Sequence, residues 1–205
     1  SDGGVPTENA TQFYWGGQVE QGSYATSYIP TNGEANGVTR NQELCYDATP
    51  VINSEEGVLY LEASSKSDSI NKSITLFGQN ANDRIEIKYR SNNTSVQVNI
   101  FSSGSLDFNV VEPLAFESIN KIAVKYKQND FALWINGIKV ATDTSGNTPT
   151  GLVSLNFDIA SGNPFFGNTK DVKVYPKALS DVELETLTSW SSFREMAEAQ
   201  SYIVE

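Results

Sequence analysis

A chain of 205 residues suits one domain of generous size, or one domain with attached segments, and is long enough to bury a substantial core. Its net charge of −11, from 25 acidic against 14 basic residues, argues against a nucleic-acid footprint and against charge-driven docking on anionic lipid. With no histidine and a single cysteine, Cys45, it has no Ser-His-Asp or Cys-His machinery, no His- or thiolate-ligated metal and no internal disulfide.

Hydrophobic residues make up 39% of the sequence and charged residues 19%, so surface polarity has to come largely from Ser, Thr, Asn and Gln. That balance, with nine Tyr and ten Phe, leans toward an all-β extracellular protein. Cys45, between Leu44 and Tyr46, is expected as a small buried residue. No run of 18 apolar residues predicts a membrane-spanning helix, and "SDGGVPTENAT" lacks the features of a signal peptide. The expectation is either a piece of a longer protein or a route that needs no secretion signal.

Residues 1–40 open with one predicted strand, Phe13 to Val19, followed by a polar extended run with Asn32-Gly33 and Asn36-Gly37. A single strand is not a domain, so this one has to complete a sheet elsewhere. From Gly57 onward, period-two alternation predicts a ladder of half-buried strands. Val58 to Ala63 and Ser73 to Gly78 come first. Ile85, Ile87 and Tyr89 then share one face, with Arg84, Glu86, Lys88 and Arg90 on the other. Val96, Val98 and Ile100 repeat the pattern, as do Leu106, Phe108 and Val110, and Ile122, Val124 and Tyr126. In "NDFALWINGIKVATD", alternation on both sides of Asn136-Gly137 predicts a hairpin with a two-residue type I′ turn, whose central residues need positive φ. Leu152 to Ile159 and Lys170 to Tyr175 complete the set. Strands of this number and type have to form a sandwich or barrel.

The last residues change character. Ser180 with Glu183 reads as a capping box opening a short helix, and Ser192 with Glu195 as a second one. The C-terminal segment either lies across the sandwich or packs on another subunit.

Two stretches carry a resemblance. "YWGGQVEQGSYATSYIPTNGEANGVTR", Tyr14 to Arg40, resembles a phrase of tail-fibre and related virion proteins of tailed bacteriophages, where it closes one β-sandwich and links it to the next. The region from Gln42 to Ser189 resembles the concanavalin A-like lectin/glucanase superfamily in its laminin-G-like or pentraxin-like form. The resemblance lies in "EEGVLYLEAS", "NKIAVKYKQNDFALWINGIKVATDTSG" and "FFGNTKDVKVYPKALSDVELETLT". It implies an all-β antiparallel jelly-roll sandwich over residues 41–190. The virion-like phrase implies the closing strand of an upstream β-sandwich plus an extended linker over 1–40, and the second capping box a C-terminal helix over 191–205.

Glycosidases of that superfamily place two carboxylates on one strand, and neither "DRIEIKY" nor "LYLEAS" has that spacing, so no catalytic residues are expected. Sugar sites pair an aromatic platform with polar donors and acceptors. Trp134, out of phase with Phe131, Leu133 and Ile135, is the candidate platform, its alternative place being packed on the second face of the sandwich. Arg84 and Lys88 are candidate donors from a stripe that also reads as a solvated face. Phe165 is a candidate loop aromatic, while Phe166 reads as structural support. Asp143 and Asn147 are the oxygen donors for the one metal the resemblance admits, calcium, in a stretch that also reads as an ordinary turn. Tyr14, Trp15, Phe193, Met196 and Tyr202 are candidate oligomer contacts, since such fibres are commonly trimers. The functional expectation is a non-catalytic virion module that attaches to host-surface glycan among other virion subunits. The alternatives are a structural cap, or a carbohydrate-binding module of a secreted polysaccharide-degrading enzyme.

Overall fold

The computed structural model describes residues 52–159 and 162–199, the short strand Leu44–Cys45, and the isolated residues Val19, Pro30 and Gly33. The chain divides into two compact units, Ser1–Asn41 and Gln42–Glu205, and the elements below belong to the second. In chain order they are β1 (Leu44–Cys45), β2 (Glu56–Ser65), β3 (Lys72–Phe77), β4 (Arg84–Tyr89), β5 (Ser95–Ser102) and β6 (Ser105–Pro113). These are followed by β7 (Asn120–Lys127), β8 (Phe131–Ile135), β9 (Ile138–Asp143), β10 (Ser154–Asn156), β11 (Gly167–Tyr175), α1 (Asp181–Thr188) and α2 (Phe193–Ala199).

The strands form two antiparallel sheets. One has the order β1-β10-β3-β4-β5-β6 and the other β11-β2-β7-β8-β9. The expected alternation is what closes them on each other. Leu59 and Leu61 of β2, Ile122 and Val124 of β7 and Leu133 of β8 are fully buried in one core, with Ile74 and Leu76 of β3, Ile85 and Ile87 of β4, and Val96 and Val98 of β5 opposite. Each such side chain contributes about 1.5–3 kcal/mol by leaving water.

The opposite phase of the five-stranded sheet is apolar as well. Val58, Tyr60, Ala123, Ala132 and Trp134 project from its outer side and form a second cluster with Leu184 of α1. That is why "VLYL" and "FALWI" read as continuous apolar runs: these strands are buried on both faces. The helix is fastened over them by its capping box, with the Glu183 amide on Ser180 Oγ at 3.4 Å and the Ser180 amide on Glu183 Oε2 at 2.8 Å. At α2 the expected box forms only in part. The Glu195 amide donates to Ser192 Oγ at 3.1 Å, but the Glu195 carboxylate accepts from the Ser191 amide at 2.8 Å. Its other oxygen faces Lys121 and Lys170, at 3.8 and 3.9 Å.

One expected phase is corrected. Phe108 lies opposite Ile100, but Leu106 lies opposite Phe101, because a bulge falls between Ile100 and Phe101. Leu106 therefore leaves the core face and is 50% exposed. Among the described residues no helix is long and apolar enough to cross a membrane.

The Asn136-Gly137 turn has φ of 49° and 85°, as a type I′ turn requires. The Gly137 amide donates to Thr188 Oγ1 at 3.2 Å, so the hairpin docks on the end of α1. A Cβ at Gly137 would lie 2.7 Å from Ser189 Oγ. Gly137→Ala is accordingly expected to lose about 1–3 kcal/mol, through positive-φ strain and this contact, as read from the denaturant midpoint.

Candidate functional site

A two-sheet sandwich offers two outer faces, and here they differ in kind. α1 and its apolar partners cover part of the five-stranded sheet. The outer face of the six-stranded sheet carries polar side chains that the antiparallel register lines up in three rungs. The middle rung runs Asn156, Thr75, Glu86, Asn99, Asn109 across five strands. One neighbouring rung holds Ser73, Lys88, Gln97 and Val111, and the other Phe77, Arg84, Phe101 and Leu106.

Glu86 is the hub. Its side chain is fully buried, and its Oε1 accepts from Ser73 Oγ at 2.8 Å and faces Lys88 Nζ at 3.3 Å. Asn99 Nδ2 donates to Glu86 Oε2 at 3.0 Å. Asn99 Oδ1 in turn accepts from Asn109 Nδ2 at 2.6 Å and Gln97 Nε2 at 3.2 Å. A buried carboxylate is tolerated when it is paired and hydrogen-bonded in this way. At the other end of the middle rung, Thr75 Oγ1 and Asn156 Oδ1 are buried and make no hydrogen bond.

Arg84 lies on Phe101, with its guanidinium carbon 3.7 Å from the ring centroid, and Nη1 donates to the Ala81 carbonyl. Its Nε is buried without a partner. Burial lowers the guanidinium pKa and the neighbouring Glu86 partly opposes this, yet an arginine stays protonated at neutral pH. Beside it, Asp83 ties three loops together. Its Oδ1 accepts from the Ser103 amide at 3.1 Å, the Thr150 amide at 2.8 Å and Thr150 Oγ1 at 3.2 Å. Burial pushes the carboxyl pKa up, but these three donors together outweigh it and hold the value below the usual one.

The sequence candidates do not converge on one place. Arg84 and Lys88 lie on this face, on rungs either side of Glu86. Trp134 projects from the other sheet and is 5% exposed beneath α1, so the packed alternative is the one observed and the platform role is corrected. The two loop phenylalanines exchange roles relative to expectation. Phe165 packs on Tyr89 and Phe157, with centroids 5.6 and 6.2 Å away, whereas Phe166 is 48% exposed.

Asp143 Oδ1 accepts from the Ser145 amide and hydroxyl within one turn, and the Asn147 backbone amide donates to Asp107 Oδ1 of β6 at 2.8 Å. Among the described residues no group of three or more Cys, Asp or Glu could hold a metal. Phe193 is 72% exposed and Met196 half-buried on α2, while Tyr14, Trp15 and Tyr202 lie outside the described residues. Sequence reading missed Ser73, Thr75, Asn99, Asn109 and Phe101. Their alternation with apolar residues was visible; their alignment with Glu86 and Arg84 needs the strand register.

No protein-family model matches the sequence, and no characterised protein sequence matches it either. Solved structures do. The CBM40 of the Ruminococcus gnavus IT-sialidase, bound to α2,3-sialyllactose, superposes with a TM-score of 0.57 at 20% identity, over 74% of this chain and 96% of that one. The fold is concanavalin A-like. The leech intramolecular trans-sialidase gives 0.57 at 21% identity, over 74% of this chain but only 26% of its own. The pentraxin of Limulus polyphemus gives 0.51 at 11% identity, over 74% and 82%. At these identities the likeness establishes the fold alone.

Two outcomes are expected here. Trp134→Ala should cost about 3–5 kcal/mol in a denaturant titration, as for a buried aromatic rather than an exposed platform. Because its folded pKa is depressed, ionised Asp83 contributes stability that is present above the unfolded value of about 3.9 and lost as pH falls through the folded one. Asp83→Asn should therefore lower Tm at neutral pH, and its difference from the parent should shrink as melting is followed down to about pH 2.5.

Proposed function

We propose that the sandwich is a non-catalytic glycan-binding module that receives its ligand on the outer face of the six-stranded sheet. The observation that carries this reading is the pairing of Arg84 with Phe101 beside the Glu86 rung. It combines an aromatic–guanidinium surface with the outer amides of Gln97 and Asn109, which the buried Asn99 and Glu86 hold in fixed positions, as a sugar's hydrogen-bonding edge requires. The three rungs carry one carboxylate, Glu86, and lack the second that acid–nucleophile glycoside chemistry needs. Arg84 has no ion-pair partner among the described residues, so its guanidinium suits an acidic sugar, whose carboxylate it meets in a fork. Sialyllactose bound to the similar R. gnavus CBM40 supports that class of ligand.

Similarity to parts of sialidases favours a module appended to a glycan-processing enzyme as its setting. A virion setting, with host attachment and trimeric assembly, is favoured by the Tyr14–Arg40 phrase, and residues 1–40 would then be the closing strand and linker of a preceding module. None of the three similar structures named above comes from a phage.

Calorimetric titration with 3′-sialyllactose, and retention on a panel of acidic polysaccharides, test the reading. Selective binding is expected, weakened about a hundredfold in Arg84→Ala by loss of a charged two-point contact worth about 3 kcal/mol. Folded protein that binds no acidic glycan, or binds equally well without the Arg84 guanidinium, overturns it.

A further inference from the structure

On the outer side of the five-stranded sheet, beside α1, lies a cleft of about 620 Å³. Its walls are α1, the 189–192 linker and the first turn of α2, with Lys121 of β7 among the lining residues. The volume is within the range of small-molecule sites.

Trp190 forms the aromatic wall, and it is set in place from below. Lys121 is only 8% exposed, and its ammonium lies 4.4 Å from the Trp190 ring centroid. That ammonium donates to the Ser189 carbonyl at 3.0 Å and stands 3.8 Å from Glu195 Oε1. The opposite oxygen of Glu195 holds the Ser191 amide at 2.8 Å, which fixes the linker that carries the indole. Around the half-buried ring stand the exposed groups of Glu185, Thr186 and Ser191, with Val182 supplying apolar surface.

The chemistry narrows the ligand. An anion would meet Glu185 and Glu195 against one ammonium already engaged by Ser189 and Glu195. A cation on the open face of the indole would be repelled by the Lys121 ammonium, which lies 4.4 Å from the ring centroid and draws on the same π electrons. What remains is a neutral ligand with an apolar face to lie on an indole and hydroxyls for a polar rim. We propose that this cleft is a second carbohydrate site, taking a neutral saccharide ring with Trp190 as its stacking platform and Glu185 as a hydroxyl acceptor. It is independent of the sheet-face site, which lies on the other sheet and takes an acidic sugar.

The chain has three tryptophans, so 5-fluorotryptophan labelling gives three signals, assignable by single Trp→Phe changes. The probes are lactose, cellobiose, maltose and chitobiose, titrated into the full chain. At least one should shift the Trp190 signal saturably, and should do so equally in Arg84→Ala. Exposed Glu185→Ala leaves the fold intact and should weaken the same shift about tenfold, the loss of one hydrogen bond to a charged acceptor. A Trp190 signal that none of the four moves overturns the proposal. So does a shift abolished by Arg84→Ala, which would report the sheet face, or one untouched by Glu185→Ala, which would place the sugar outside the cleft. Failure on any of these counts leaves the titration with sialyllactose to stand or fall separately.

Discussion

Val58, Tyr60, Ala123, Ala132 and Trp134 put an apolar surface on the outside of the five-stranded sheet, and such a surface has to be covered. Much follows from that constraint. Leu184 brings α1 down on it, the Asn136-Gly137 turn docks against the end of α1, and the linker after α1 is led past Lys121. The helical layer is thus a consequence of strand composition. With one outer face committed to packing, the six-stranded sheet is the one left with a polar outer face.

That face is built differently from a solvated surface. Glu86 is fully buried, and an unpaired carboxylate there would be costly; Ser73, Lys88 and Asn99 together satisfy it. A hub with that many partners has little rotamer freedom, so the outer amides of Gln97 and Asn109, tied to it through Asn99, are held in fixed orientations. Preorganisation of this kind removes part of the entropy cost of binding. Arg84 is similarly constrained, between the Phe101 ring and the Ala81 carbonyl. The face is therefore stiff at its centre and accessible toward the β6 edge, where Asn109 and Val111 are exposed.

The strands themselves were legible in the sequence because burial on one face imposes a period of two. Arg84 to Tyr89 shows it most cleanly, and the Asn-Gly turn and the Ser180–Glu183 box are local signals that need no tertiary knowledge. The site was only partly legible. Arg84 and Lys88 came from the alternation of a single strand, but Asn99 and Ser73 acquire meaning only through pairing across strands. Trp134 shows the limit from the other side: its phase correctly placed it on an outer face, yet phase cannot say whether a helix lies on top. Leu106 shows another, since a bulge resets the phase without any residue type that announces it.

The bulge between Ile100 and Phe101 separates the tip of the β5–β6 hairpin from the rungs behind it. Asn99 and Asn109 keep their pairing on the inner side of the irregularity, while Phe101 and Leu106 pair on its outer side. Changes of length at the Ser103-Gly104 tip can thus be absorbed there without shifting the Glu86 rung. The Phe101 end of the face is thereby decoupled in register from the hydrogen-bonded rung behind it, so the hairpin tip can be remodelled while the Asn99–Asn109 pairing keeps its place.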